Sequence, residues 1–246
     1  GLRPVAGPPL EDILIKFNRI FNMGRNGIGV VTFFSLGASI DANDKIGVRA
    51  AVVKGMISVA KLVITENRIE QCMNIAPQPI PGKMTQLMGY GGIVLADTEA
   101  VVIRDNVIVD NGPDFLEPIC GIFILRSEDL EISRNRILNN GMRTEAELTT
   151  TTVKNGVRGG IFIVRAITPA VGITVSTGGT GANRKPRTVP FSSGEPAAKI
   201  QENIVTVPLG RSLTLFATGA VSVVGNQFTS FGIQPVDFFE LIKTII

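Results

Sequence analysis

The chain has 246 residues, 44% of them apolar, with 27 Gly, 14 Pro and a net charge of +3. That length fits one large all-β domain or two small ones, and the apolar share excludes a disordered chain. The small net charge argues against a dedicated nucleic-acid binder, and the sequence has no apolar run of about 18 residues to form a membrane-spanning helix.

The sequence contains no His. That absence removes Ser-His-Asp and Cys-His nucleophile systems, His general bases and His-ligated zinc. Two cysteines, Cys72 and Cys120, exclude a disulfide framework, and both a single bridge and a reduced core pair fit. Val, Ile and Thr are plentiful and long helical patterns are few, which favours strands. The chain shows no signal peptide and starts at Gly1 rather than Met, so it reads as processed or excerpted.

A repeated unit runs along the chain. It begins with Ile13, Ile15, Asn18 and Ile20. Gly27-Ile28-Gly29-Val30 opens a second unit, which is interrupted at about 36–58 and resumes at Leu62, Ile64, Asn67 and Ile69. After a Pro-rich insertion at about 75–90 come two nearly identical units, 91–112 and 121–141. A polar loop at 143–158 follows. The fifth unit opens at Gly160-Ile161-Phe162-Ile163, is broken by the longest insertion at about 167–196, and resumes at Ala198, Ile200 and Asn203. The sixth runs from Leu213 through Val221 and Val223 to Asn226 and Phe228.

From opening aliphatic to Asn is 13 residues in three units (Ile93 to Asn106, Ile122 to Asn135, Leu213 to Asn226), and the shortest return is 10 (Asn18 to Ile28), giving a 23-residue turn. A fixed period of this kind signals a solenoid. Such a turn is too short for a full helix as well as its strands, and Leu does not dominate, which argues against leucine-rich repeats. Three short strands per turn fit better. Gly121-Ile122-Phe123-Ile124 and Glu131-Ile132-Ser133-Arg134-Asn135-Arg136-Ile137 resemble the repeat of the right-handed parallel β-helix, the pectin-lyase-like fold. The resemblance covers about 13–230 and implies an all-β coil of about six rungs within 1–235, with a short C-terminal helix or cap at 236–246. Side chains alternate along strands, so Ile122, Ile124, Leu130, Ile132 and Ile137 point inward. Asn18, Asn67, Asn106, Asn135, Asn203 and Asn226 form a structural column. Asn tolerates the left-handed backbone and bonds to neighbouring amides.

Outward positions are then fixed. One first-strand column is Gly29, Val94, Phe123, Phe162 and Thr214, and the next is Val31, Ala96, Leu125, Val164 and Phe216. This apolar face needs a cover: insertions, a protein partner or further copies of the chain. Phe123, Leu125, Phe162 and Phe216 are therefore candidate binding residues. The third-strand column brings Arg19, Arg68 and Arg136 to rung spacing, which suits an anionic polymer or a solvated face paired with Glu70. At the corner after the first strand stand Asp97, Arg126 and Arg165. Enzymes of this resemblance include polysaccharide lyases, whose basic residues remove a proton beside a carboxylate, sometimes with calcium. This trio is the candidate catalytic group, and a corner salt bridge with Glu128 and Asp129 is its plain alternative. Asp110, Asp114 and Glu117 offer three carboxylates in one loop, where calcium and a plain acidic turn compete, with no EF-hand spacing. No cofactor is otherwise called for.

No amphipathic cap precedes the first rung, so the sequence predicts a domain that continues a longer protein. The function expected is a non-catalytic structural or binding module of an extracellular, cell-surface or virion-like assembly, contacting protein or glycan. A polysaccharide lyase and a self-associating fibre domain are the alternatives.

Overall fold

The computed structural model describes residues 8–30, 57–75, 89–112, 119–141, 158–175, 187–192, 194–207, 211–230 and 242–245. These residues form a parallel β-coil. The first rung holds β1 (Leu10–Glu11), β2 (Leu14–Lys16) and β3 (Arg19–Phe21). The second holds β4 (Ile28–Val30), β5 (Ser58–Ala60), β6 (Val63–Thr65) and β7 (Arg68–Glu70). In the third and fourth, the first two strands run on through their corner as single elements. These are β8 (Tyr90–Arg104) with β9 (Val107–Val109), then β10 (Ile119–Ser133) with β11 (Arg136–Leu138).

The fifth rung starts with β12 (Arg158–Ile167). It then leaves the coil for an antiparallel hairpin of β13 (Ala170–Val175) and β14 (Arg187–Ser192), and returns as β15 (Ala198–Gln201) and β16 (Ile204–Val207). The sixth is β17 (Arg211–Thr218), β18 (Val221–Val224) and β19 (Gln227–Ser230). Last comes β20 (Ile242–Ile245), which pairs parallel with β17. The sequence suggests a helix or cap over 236–246, but Ile242–Ile245 is a strand that begins a further rung level. Its Ile and Thr are residues that strands favour. Residues 236–241 lie outside the described residues.

Register follows the sequence columns. Ile28, Ile93, Ile122, Ile161 and Leu213 are successive partners, as are Gly29, Val94, Phe123, Phe162 and Thr214. The third-strand sheet runs in the order β19-β16-β11-β9-β7-β3. The inward columns make one continuous core, with Leu62, Ile64, Ile69, Ile103, Ile108, Ile132, Ile137 and Ile200 all at 0 or 1% exposure. Alternation along each strand puts these aliphatics inside, and stacking at about 4.8 Å brings like residues into contact from rung to rung.

The corners are built from left-handed residues stacked one above another. One column is Asp12, Lys61, Ala100 and Asp129; a second is Phe17, Glu66, Asp105, Arg134 and Glu202, closed by Gly225; a third is Asn22, Gln71, Asp110 and Asn139. The left-handed residue at the second corner therefore precedes the column Asn, where the sequence reading had placed the Asn itself in that conformation. The Asn contributes its side chain instead. The opening glycines have a separate reason. A Cβ on Gly92 would lie 2.7 Å from the Gly121 carbonyl oxygen and overlap Ile108 Cγ2, and one on Gly121 would overlap Ile137 Cγ2. In the Gly27-Ile28, Gly92-Ile93 and Gly121-Ile122 openings the Gly lets the first strand start against the third-strand isoleucine of its own rung, while a Cβ on Gly160 would meet the Ser212 backbone.

Candidate functional site

The asparagine column is a continuous hydrogen-bonded spine. Backbone N–H and side-chain Nδ2 of each Asn donate to Oδ1 of the next: Asn18 to Asn67, Asn67 to Asn106, Asn106 to Asn135, Asn135 to Asn203 and Asn203 to Asn226, all between 2.9 and 3.0 Å. Nδ2 of Asn135 also donates to the Ile103 and Ser133 carbonyls, at 2.8 and 3.1 Å. The four inner members are 0–2% exposed. With both amide hydrogens and the oxygen engaged, they have no hydrogen-bonding capacity left for a ligand.

A second, shorter column escaped the sequence reading. Backbone N–H and Nδ2 of Asn111 donate to Asn140 Oδ1 at 3.2 and 2.7 Å, and the Cys72 N–H donates to Asn111 Oδ1 at 2.9 Å. Its signal is the Asn five residues after the first in the two matched rungs. Cys72 takes that place one rung earlier, which hides the pattern. Cys72 and Cys120 are both buried and not joined in a disulfide, and burial pushes the Cys72 thiol above its usual pKa.

The corner trio does come together in register. Asp97 pairs with Arg126 across the sheet, and Arg165 follows one rung on, between the aligned pairs Ile124–Ile163 and Ser127–Ala166. Arg126 Nη1 donates to Asp97 Oδ1 at 2.6 Å, and its Nη2 lies 3.6 Å from Glu128 Oε2. The Asp97 side chain is 3% exposed and that of Arg126 is 21% exposed. Asp97 Oδ2 is enclosed without a hydrogen-bond partner. Behind the pair, Thr98 Oγ1 donates to Ser127 Oγ at 2.8 Å. Arg165 is exposed.

The apolar first-strand face is covered in its middle by the chain itself. Val94, Ala96 and Phe123 are 0% exposed and Leu125 is 7%. The ring of Phe123 lies against Gly89 on one side and stacks on Phe162, with centroids 6.0 Å apart and planes at 14°. Phe162, Val164 and Phe216 are half-buried, while Val31 lies outside the described residues.

The third-strand arginines stand on an open sheet face. Arg19, Arg68 and Arg136 are exposed, and Val107 and Ile204 share their column. Arg19 Nη2 and Arg68 Nε reach Glu70 at 2.8 and 2.6 Å. Those two guanidiniums, Arg19 first, hold the Glu70 carboxyl below the usual glutamate range. Of the acidic loop, Asp110 is a half-buried corner residue whose N–H donates to the Leu138 carbonyl at 3.1 Å, and Asp114 and Glu117 lie outside the described residues.

Comparison with protein families matches residues 10–183 to a family described as right handed beta helix region. Neither the curated proteins nor the solved structures gave a match. No helix among the described residues is long and apolar enough to cross a membrane. The matched span covers four of the six column asparagines, Asn18 to Asn135, and most of the core columns, so the sequence repeat, the parallel register and the family match agree: the chain belongs to the right-handed β-helix family.

Proposed function

We propose that this chain is a non-catalytic structural and binding module of a larger surface, secreted or tail-fibre-like assembly, meeting protein or glycan through its outer faces. The observation that supports this reading most is the use made of the recurrent polar positions. The asparagines bond to one another, and the corner carboxylate Asp97 is held by Arg126, which also faces Glu128. A lyase base must be free to meet its substrate, and the Arg126 guanidinium is engaged by Asp97 with Glu128 beside it. The third-strand sheet is the outer face to bind with. It sets exposed Arg19, Arg68 and Arg136 in a column with aliphatic Ile204, a mixed surface suited to an anionic glycan or an acidic protein patch.

The alternative reading, a carbohydrate-active enzyme of the lyase type at Asp97, Arg126 and Arg165, has one observation in its favour: the three residues stand in register at one corner, with Arg165 exposed. Incubation with uronate polymers separates the two. The non-catalytic reading expects no rise in the ultraviolet absorbance of new double bonds. A steady rise that is lost in Arg126→Lys overturns it.

A further inference from the structure

Three successive strands inside the coil, β7, β9 and β11, present two outward columns on the third-strand sheet. The first column is Arg68, Val107 and Arg136, and the second is Glu70, Val109 and Leu138. Each of these strands is paired on both sides, so the face belongs to the interior of the coil. Arg68 and Arg136 are exposed, and the other four are half-buried.

The polar groups of this face are only partly used by their own chain. Arg68 reaches Glu70 through Nε at 2.6 Å, and its two Nη groups make no hydrogen bond among the described residues. Arg136 makes no ion pair among the described residues. The Glu70 carboxylate accepts from Arg19 on Oε1 and from Arg68 on Oε2, and a carboxylate has further lone pairs to offer. Beside these groups lies the aliphatic strip of Val107, Val109 and Leu138.

The two columns are complements of each other. On each rung a cation stands beside an anion, a valine beside a valine, or an arginine stem beside a leucine. A two-fold axis laid along the coil between the columns exchanges them and keeps every rung at its own height. Arg68 of one copy then faces Glu70 of the other, and the reverse, while Val107 faces Val109. The stem of Arg136 covers Leu138 of the other copy, and its guanidinium extends to the rim, beside Asp110 and Asn139 at the other copy's corner. A foreign polyanion would meet the arginines and leave Glu70 and the aliphatic strip unmatched. A second copy supplies carboxylate, cation and apolar surface in the order this face requires.

We infer that the chain forms a two-fold dimer with its coils parallel and its third-strand sheets packed face to face at about 10 Å. The inference rests on the reading of that sheet as the binding face, and it names the partner as a second copy. The contact is isologous and closes on itself. Six strands at about 4.8 Å give a face about 25 Å long and, with its corners, about 20 Å across. That is on the order of 500 Å² per copy, below the roughly 800 Å² of a standard interface, so the dimer is a weak and reversible one.

The test exchanges charges across the axis. In Arg68→Glu two carboxylates face each other at each contact, and in Glu70→Arg two guanidiniums do. A mixture of the two variants sets carboxylate against guanidinium at both contacts. Sedimentation equilibrium is expected to show the unmodified chain rising from one chain mass to two with concentration, each variant alone dimerising roughly tenfold or more weakly, and the equimolar mixture recovering most of that loss. Val107→Asp, beside the same axis, is expected to weaken the dimer as well, and it stands in if circular dichroism shows a charge variant unfolded. Dimerisation unchanged in the folded variants places the association on another face and overturns the proposal. A mixture of folded variants no better than its components also overturns it, as does an unmodified chain that stays monomeric throughout. A monomeric chain is then titrated with polyglutamate and polygalacturonate. Binding that Arg68→Glu abolishes overturns the dimer alone and keeps this sheet as the binding face, while no binding removes both.

Discussion

Asn135→Ala cuts the asparagine spine at a fully buried link. The substitution removes the acceptor for the N–H and Nδ2 of Asn106, both at 3.0 Å, and the donor to the Ile103 carbonyl, the Ser133 carbonyl and Asn203 Oδ1. Asn106 Nδ2 keeps its bonds to the Ile64 and Arg104 carbonyls, so its backbone N–H suffers most. A buried N–H left unpaired costs about 1–3 kcal/mol, and each further net bond is worth about 1 kcal/mol, so the total is about 3–5 kcal/mol. That is a large fraction of the 5–15 kcal/mol, roughly, that holds a typical domain together. Asn18→Ala provides the contrast. Asn18 is exposed, its Oδ1 accepts no bond among the described residues, and it loses only the Nδ2 bonds to the Lys16 carbonyl and Asn67 Oδ1, for about 1 kcal/mol or less. Urea unfolding followed by far-ultraviolet circular dichroism measures both. A difference between the two variants below about 1 kcal/mol would refute the reasoning. Asn135→Asp separates the two halves of the role: it keeps an acceptor, loses the donors, and recovers part of its stability as falling pH protonates it.

Further outcomes follow from the other columns. Gly92→Ala places a methyl against the Gly121 carbonyl and Ile108 Cγ2, and is expected to cost about 1–3 kcal/mol in chemical unfolding; a neutral result contradicts the close strand approach. Arg126→Ala leaves Asp97 buried and unpaired, at about 3–5 kcal/mol, and the double variant Asp97→Ala/Arg126→Ala recovers much of that loss in a double-mutant cycle. Phe123→Ala empties a covered, stacked position for about 3–5 kcal/mol; a loss under about 1 kcal/mol would return Phe123 to the list of solvent-facing binding residues. Arg19 and Arg68 depress the Glu70 pKa, so their contribution is full above the unfolded-state pKa of this carboxyl and is lost as pH falls through the lowered folded value. Glu70→Gln should therefore flatten part of the acid limb of a stability profile, and an unchanged limb counts against the pairing.

The coil was legible because stacking copies one set of constraints onto every rung. Ile at inward positions and Asn at one corner recur at fixed spacing, and their partners in the structure are the ones the spacing indicates: Ile122 with Ile93 and Ile161, Asn135 with Asn106 and Asn203. The second column was harder to see, because an N–H donor is all that the Cys72 position needs and any residue but proline supplies one. Backbone conformation at the corners was misplaced by one residue for a related reason. Phe17, Glu66, Asp105, Arg134 and Glu202 share the left-handed region while sharing no side-chain chemistry, and the sequence therefore shows no pattern there. The hairpin of β13 and β14 lies inside an insertion, where no neighbouring rung repeats the signal. The cover over Phe123 depends on where the chain re-enters at Gly89, a contact between distant segments that periodicity does not encode. Alternation indicates that Phe123 faces outward, and whether it meets solvent is decided by other parts of the chain.

Amide hydrogen exchange tests the central claim most directly, that the recurrent asparagines form one buried hydrogen-bonded spine. The backbone N–H groups of Asn67, Asn106, Asn135 and Asn203 should be among the slowest in the chain, exchanging only with global unfolding. Fast exchange at Asn106 and Asn135 in the folded chain would contradict the account.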